Sequence, residues 1–270
     1  MIKRIKYAWD ILNNPMKYEK AKDDAFHLNK LRTQFHLLYK EHVTYSGDFL
    51  YTHHSADFLY DERFIKAYNE GALTDDGTLI KNVDIRWRIH LLCWAALQAS
   101  KLEGDFVDCG VHTGIFARSV IDYTNFDHLN KTYYLLDTFE GMDPKYSSDE
   151  EIEKSRKIGY SAKKNLFNKV SETFAPFKTK IIKGAIPETL AQVESKKIAF
   201  LSIDMNCVIP EVEALEYFWD KLVPGAFIIL DDYGYMNKQI EQKRAHDEFA
   251  KSKNVEILYF PTCQGVIIKP

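Results

Sequence analysis

From Asp105 onward the chain repeats one arrangement: a short apolar segment, a polar or glycine-containing turn, then a longer stretch with helical spacing. The apolar segments are Asp105–Cys109, Thr132–Asp137, Lys180–Lys183, Ile198–Asp204 and Ala226–Leu230. Strands that alternate with helices must be joined by crossovers, and crossovers build a parallel sheet with helices on its faces. This stretch therefore reads as a doubly wound α/β sheet. Its end departs from the pattern, because "NVEILYF" and "QGVIIKP" are separated only by Pro261, Thr262 and Cys263. So short a connection cannot cross over, and it predicts an antiparallel hairpin.

The first 75 or so residues are rich in Lys, Tyr, His and Asp and show helical spacing without strand alternation. They read as a helical N-terminal extension, residues 1–81, ahead of a sheet domain at 82–270. Within the extension, "DERFIKAYNEGAL" sets Phe64, Ala67 and Tyr68 at i, i+3 and i+4, the stripe of an amphipathic helix. "GALTDDGT" then breaks the pattern with two glycines and two aspartates. From Asn82 a helix carrying Trp87, Leu91, Trp94 and Ala95 leads into "GDFVDCG".

Bulk properties narrow the function. A chain of 270 residues can bury one large core plus an appendage, and a formal net charge of -3 gives no electrostatic case for nucleic acid or an anionic membrane surface. A small-molecule partner is expected. The longest apolar run, Ile89 to Leu97, is interrupted by His90 and is far shorter than the roughly 20 residues of a membrane span. The start "MIKRIKYAWD" is basic but has no apolar region with a cleavage site, so the cytoplasm is the expected location. Cys93, Cys109, Cys207 and Cys263 form no C-x-x-C pair, which suits reduced thiols rather than disulfides or zinc.

In an open parallel sheet, ligands bind beyond the carboxyl ends of the strands. The first strand ends in "VDCGVHTGIFA", where Gly110 and Gly114 suit a tight turn whose backbone N–H groups approach a polar ligand. Its spacing is D-x-G-x-x-x-G rather than G-x-G-x-x-G, which disfavours a pyrophosphate cradle. Asp137 ends the second strand in "YYLLDTFEGM", where a carboxylate either accepts from a ribose diol or caps a helix. Asp204 ends "AFLSID", and Asp231 and Asp232 end "FIILDD". If those two strands are neighbours, three acids converge, and a cation such as magnesium would offset their repulsion. The bland alternative has Asp232 capping a helix and Asp231 in solvent. His246 in "KRAHDEF" is a candidate proton acceptor or a histidine on a solvated helix face. His112 lies in the glycine turn, and Tyr51, His53 and His54 are candidate lid residues.

"GDFVDCGVHTG", "LLDTFEGM", "IKGAIPETL", "FLSIDMN" and "PGAFIILDDYG", in this order and spacing, resemble the macrocin O-methyltransferase family of class I S-adenosylmethionine-dependent methyltransferases over about residues 82–270. The resemblance implies a Rossmann-like, seven-stranded, mostly parallel sheet with an antiparallel last strand. It also implies S-adenosylmethionine as cofactor and magnesium-assisted methylation of a hydroxyl on a sugar or natural product. Cys109, Gly110 and Gly114 would pass the methionine portion and Asp137 the ribose. Thr138 and Phe139 would line the neighbouring face of the nucleoside, with Gly184, Ala185 and Ser161 near the adenine. The acids matching Asp204, Asp231 and Asp232 bind the metal in the family, so Asp204 enters both the metal and the catalytic set, the latter with His246. One departure stands beside them: the family usually has a second acid at Asn206, followed by Leu-Tyr where this chain has Cys207 and Val208. The resemblance places part of the N-terminal extension over the active site or in a subunit interface of a homo-oligomer. A metal-independent methyltransferase, a catalytically silent binding module and an NAD-dependent oxidoreductase are the competing readings.

Overall fold

The computed structural model describes residues 43–270 apart from 78, 82, 158, 161, 162 and 236–239. The chain divides into two compact units, Met1–Ala56 and Asp57–Pro270. In the first, strands β1 (Tyr45–Gly47) and β2 (Leu50–Thr52) pair antiparallel. Asp48 and Phe49 turn between them, both at positive φ, the conformation that tight hairpin turns require. A helical extension is expected over residues 1–81; residues 1–42 of it lie outside the described residues, and residues 45–52 form this hairpin. Three-residue strands are too short to show alternation, so the hairpin left no periodic trace in the sequence. Tyr51, His53 and His54 belong to this unit, with the Tyr51 and His53 rings edge-on at 5.3 Å.

The second unit opens with a single 3-10 turn (Asp57–Tyr60) followed by helix α1 (Glu62–Ala72), whose first turn is capped by the Asp61 carboxylate accepting from the Phe64 N–H. Of the expected stripe, Phe64 and Ala67 are buried and Tyr68 is half-buried: Phe64 packs in a cluster with Ile85, Ile89, Cys93 and Ile115. The expected domain boundary at 81/82 thus differs from the compact unit, which begins at Asp57, because this apolar face is covered by the sheet domain's own helices. Helix α2 (Arg86–Ala99) follows, then β3 (Asp105–Cys109), α3 (Ile115–Thr124) and β4 (Tyr133–Asp137). Next come α4 (Asp149–Lys157), α5 (Leu166–Phe174), β5 (Thr179–Lys183), β6 (Ile198–Ile203) and α6 (Val208–Trp219). The chain finishes with β7 (Leu222–Leu230), α7 (Ile240–Ser252), β8 (Leu258–Tyr259) and β9 (Gly265–Ile268).

These strands form a seven-stranded sheet in the order β5-β4-β3-β6-β7-β9-β8. The pairs from β5 through β7 are parallel, and β9, last in the chain, runs antiparallel to both β7 and β8. The doubly wound fold and its terminal hairpin are as the sequence predicts. Side chains alternate between two cores, with Phe106, Leu135, Phe200 and Ile229 on one face and Val107, Leu136, Leu201 and Ile228 on the other. Helices cover both faces, so β6 is buried along its whole length. Strand order reverses where β3 lies between β4 and β6, and the crevice beyond that point is where such a sheet binds ligands. Among the described residues no helix is long and apolar enough to cross a membrane.

Candidate active site

The turn after β3 is shaped by close backbone contact. Gly110 has φ +99°, and a Cβ there would lie 1.9 Å from the Asp204 carbonyl oxygen, so only glycine fits. The Asp204 N–H donates to the Cys109 carbonyl at 2.9 Å, and the Gly110 N–H to that of Leu136, which ties three strand ends together. Gly114 precedes α3 at φ +95°, where a Cβ would meet the Phe174 ring at 2.4 Å.

Asp137 organises the neighbouring loop. Its Oδ2 accepts the His112 N–H at 2.8 Å and its Oδ1 the Phe139 N–H at 2.6 Å. Thr138 Oγ1 donates to the Gly141 carbonyl at 2.5 Å. The Phe139 ring is buried in the core against Phe167, so this residue lends the site its backbone rather than an aromatic face. Gly184, at φ +143°, donates its N–H to the Asp137 carbonyl, which brings Gly184 and Ala185 to the same edge. Cys109 is fully buried and faces the core. Ser161 lies outside the described residues.

The three expected acids do come together. One carboxylate oxygen from each of Asp204, Asp231 and Asp232 lies within 4.8 Å of the others, because β6 and β7 are adjacent and end in register, Ile203 opposite Leu230. Burial raises the Asp204 carboxyl well above its usual range, with further push from Asp231, Asp232 and Glu211. Burial also raises Asp231, to about 6, against the pull of Arg88. Asn206, at φ 59°, donates through Nδ2 to Asp204 Oδ1 at 3.1 Å.

Arg88, Gln264 and Tyr160 were not singled out by sequence. Arg88 Nη1 lies 2.7 Å from both Asp231 Oδ2 and Asp232 Oδ1, and Gln264 Nε2 donates to Asp231 Oδ1 at 2.8 Å. Tyr160 sits between the acids and the glycine turn. Its hydroxyl pKa is pushed up by burial and then by Asp204, Asp232 and Asp231, and its ring meets His112 edge-on at 4.8 Å. The His112 imidazole is held below its usual pKa by burial and then by Lys163, and its Nε2 is buried without a hydrogen-bond partner. Asp108 is 1% exposed with Oδ1 unpartnered. Burial pushes its pKa up to about 8, opposed by a hydrogen bond from Ser202 and assisted by Asp137 and Asp231.

His246 is enclosed within the fold. Its ring is 1% exposed and stacks on Tyr233. Its Nε2 lies 3.0 Å from Glu211 Oε2, yet neither ring nitrogen makes an aligned hydrogen bond, so the contact is electrostatic proximity. The candidate proton acceptor is thus an enclosed ring and not a histidine on a solvated helix face. A surface hollow of about 360 Å³ exists at the opposite, amino end of the strands, around Asp105, Lys131 and Lys180, and gathers none of these residues. Lys131 there spends its ammonium on the Leu102 and Gly104 carbonyls.

A parallel sheet with an antiparallel last strand, a glycine turn after its first parallel strand and an acid ending the next define a class I methyltransferase. The sequence model of the macrocin O-methyltransferase family, described as Macrocin-O-methyltransferase (TylF), matches residues 86–258, and the chain belongs to that family. It is an O-methyltransferase that uses S-adenosylmethionine. The fold is similar to that of the O-methyltransferase NovP, with 16% identity and a TM-score of 0.62, covering 78% of this chain and 98% of NovP. It is also similar to the calicheamicin methyltransferase CalS11, with 14% identity and a TM-score of 0.58, covering 80% of this chain and 94% of CalS11. No curated protein matches the chain.

Proposed function

We propose that this chain methylates a hydroxyl of a sugar or a sugar-bearing small molecule, with magnesium held by Asp204, Asp231 and Asp232. The observation that carries the reading is the convergence of three carboxylates from two adjacent strand ends. Their donor set is all oxygen, which suits a hard cation. Once ionised, the three carboxylates set against the Arg88 guanidinium would leave two negative charges, the complement of a divalent ion. Bound there, magnesium would lower the pKa of an acceptor hydroxyl.

The chain's own residues supply the positioning. Gly110 and Gly114 let the backbone approach the methionine portion of the cofactor, and Asp137, already fixing His112 and Phe139, keeps lone pairs for the ribose hydroxyls. Tyr160 and His112 present rings between that turn and the acids, a setting for the apolar face of a sugar. Holding the acceptor oxygen in line with the methyl group accounts for much of the acceleration in such a transfer. CalS11, one of the similar structures, is a TDP-rhamnose 3'-O-methyltransferase, which supports a sugar acceptor here.

The test is methyl transfer from labelled S-adenosylmethionine to nucleotide-activated deoxysugars and glycosylated acceptors, with and without chelator. Transfer to a sugar hydroxyl that stops on chelation is expected. Transfer that persists under chelation would remove magnesium from the reading, and transfer only to non-sugar hydroxyls would remove the sugar.

A further inference from the structure

Glu211 is 1% exposed, a buried carboxylate in the first turn of α6. Helix side chains lean toward the N-terminus, so a residue one turn in reaches back over the preceding loop. Glu211 does this: Oε1 accepts the N–H groups of Met205 at 3.0 Å and Asn206 at 2.9 Å. The N-cap residue itself, Cys207, makes no side-chain capping bond. On its other side, Glu211 Oε2 accepts from Gln242 Nε2 at 2.6 Å and lies 3.0 Å from His246 Nε2. Both partners are on α7, the helix that follows β7 in the chain, and the His246 ring stacks on Tyr233, the residue after Asp232.

One continuous buried connection therefore runs from the loop of Asp204 through Glu211 and His246 to the loop of Asp231 and Asp232. We propose that Glu211, with Gln242 and His246, is a positioning residue that fixes the direction of the Asp204 carboxylate and holds it in place against the Asp231–Asp232 pair. The proposal rests on the reading that these three acids act together. It gives His246 a place as the spacer between Tyr233 and Glu211. It also explains why a carboxylate sits in a stripe otherwise formed by Ala214, Leu215 and Phe218: the two backbone N–H groups at the strand end need an acceptor, and burial without one is costly.

The experiment uses the full chain and three forms: parent, Glu211→Ala and Glu211→Gln. Mn2+ binding, read by its electron paramagnetic resonance, reports the acids, and S-adenosylhomocysteine binding by calorimetry reports the rest of the site. In Glu211→Ala, Mn2+ affinity should fall by about tenfold or more, as losses of supporting partners do, while S-adenosylhomocysteine affinity stays within about twofold of the parent. Glu211→Gln should recover most of the Mn2+ affinity, since its amide oxygen still accepts both N–H groups and Gln242 can turn its own amide to match. Unchanged Mn2+ affinity in Glu211→Ala, or equal loss of both ligands, overturns the proposal. A parent that binds no Mn2+ overturns the metal reading instead. The brace is then judged by hydrogen exchange at Met205 and Asn206, which must quicken in Glu211→Ala and not in Glu211→Gln; equal protection in all three overturns it. Should Glu211→Ala fail to fold, Gln242→Leu removes one donor, and it should give a smaller loss of the same kind; no loss overturns the proposal.

Discussion

One guanidinium nitrogen, Nη1 of Arg88, lies 2.7 Å from Asp231 Oδ2 and 2.7 Å from Asp232 Oδ1. All three side chains are largely buried. This contact answers how a strand can end in two adjacent carboxylates: a cation from α2 is packed between them, and neither acid sits idle in solvent. Removing one member of a buried ion pair leaves the others uncompensated, at a cost of about 3–5 kcal/mol. Arg88→Met should lose stability on that order by urea denaturation. Added magnesium should restore more of it than in the parent, because the freed acids then carry the larger charge.

Gly110 is the point where the glycine turn after β3 and the loop of Asp204 touch. A methyl group there would lie 1.9 Å from the Asp204 carbonyl oxygen, on a backbone at φ +99°. Gly110→Ala should therefore destabilise the fold by more than ~1 kcal/mol and weaken both S-adenosylhomocysteine and Mn2+. Calorimetry with each ligand checks it. Loss of one ligand alone would show that the two loops move independently.

Asp108 gives a pH dependence with a definite sign. Its carboxyl is raised to about 8, chiefly by burial, so between its unfolded value near ~4 and about 8 the folded chain holds a proton that the unfolded chain releases. Stability from this group is full at acid pH and falls as pH rises toward 8, by up to ~1.4 kcal/mol per pH unit. Asp108→Asn keeps the shape without the titration. Its unfolding free energy, measured against the parent from pH 5 to pH 9, should gain on the parent up to about pH 8 and level off above it. A constant difference would mean the parent's Asp108 is ionised throughout.

Much of this site was legible before the structure, and the reason is periodic. The acids at 137, 204, 231 and 232 each close an apolar strand, so their position follows from the strand pattern and the adjacency of β6 and β7. Arg88 and Glu211 left a weaker trace. Arg88 falls in the buried stripe with Leu91, Leu92 and Ala95, and Glu211 in the one with Ala214 and Leu215. A charge inside an apolar stripe signals a buried partner, but the partner lies far off in sequence, 143 residues away for Arg88 and Asp231. Tyr160 and the hairpin at Tyr45–Thr52 had no periodic signal, since each depends on a loop rather than on a repeating element.

On the proposed reading, Asp137 belongs to the cofactor side of the site and the three clustered acids to the metal side. Its two oxygens fix the His112 and Phe139 N–H groups, at 2.8 Å and 2.6 Å, before any ribose is considered. Asp137→Ala thus removes the proposed ribose contacts and also loosens the loop that shapes the pocket. Loss of two hydrogen bonds to a charged acceptor is worth roughly 1.5–3 kcal/mol each, so S-adenosylhomocysteine affinity should fall by at least tenfold, a difference of about 1.4 kcal/mol. Asp137→Asn should fall between, because its amide nitrogen would face one backbone N–H, donor against donor. Mn2+ affinity should change little in either variant, since the acids of β6 and β7 are held by Arg88, Gln264 and Glu211 rather than by Asp137. Calorimetry for the cofactor product and paramagnetic resonance for Mn2+, on the same preparations, decide the matter. Parallel loss of both ligands would mean that Asp137 supports the whole crevice, and the division of the site into a cofactor half and a metal half would fall with it.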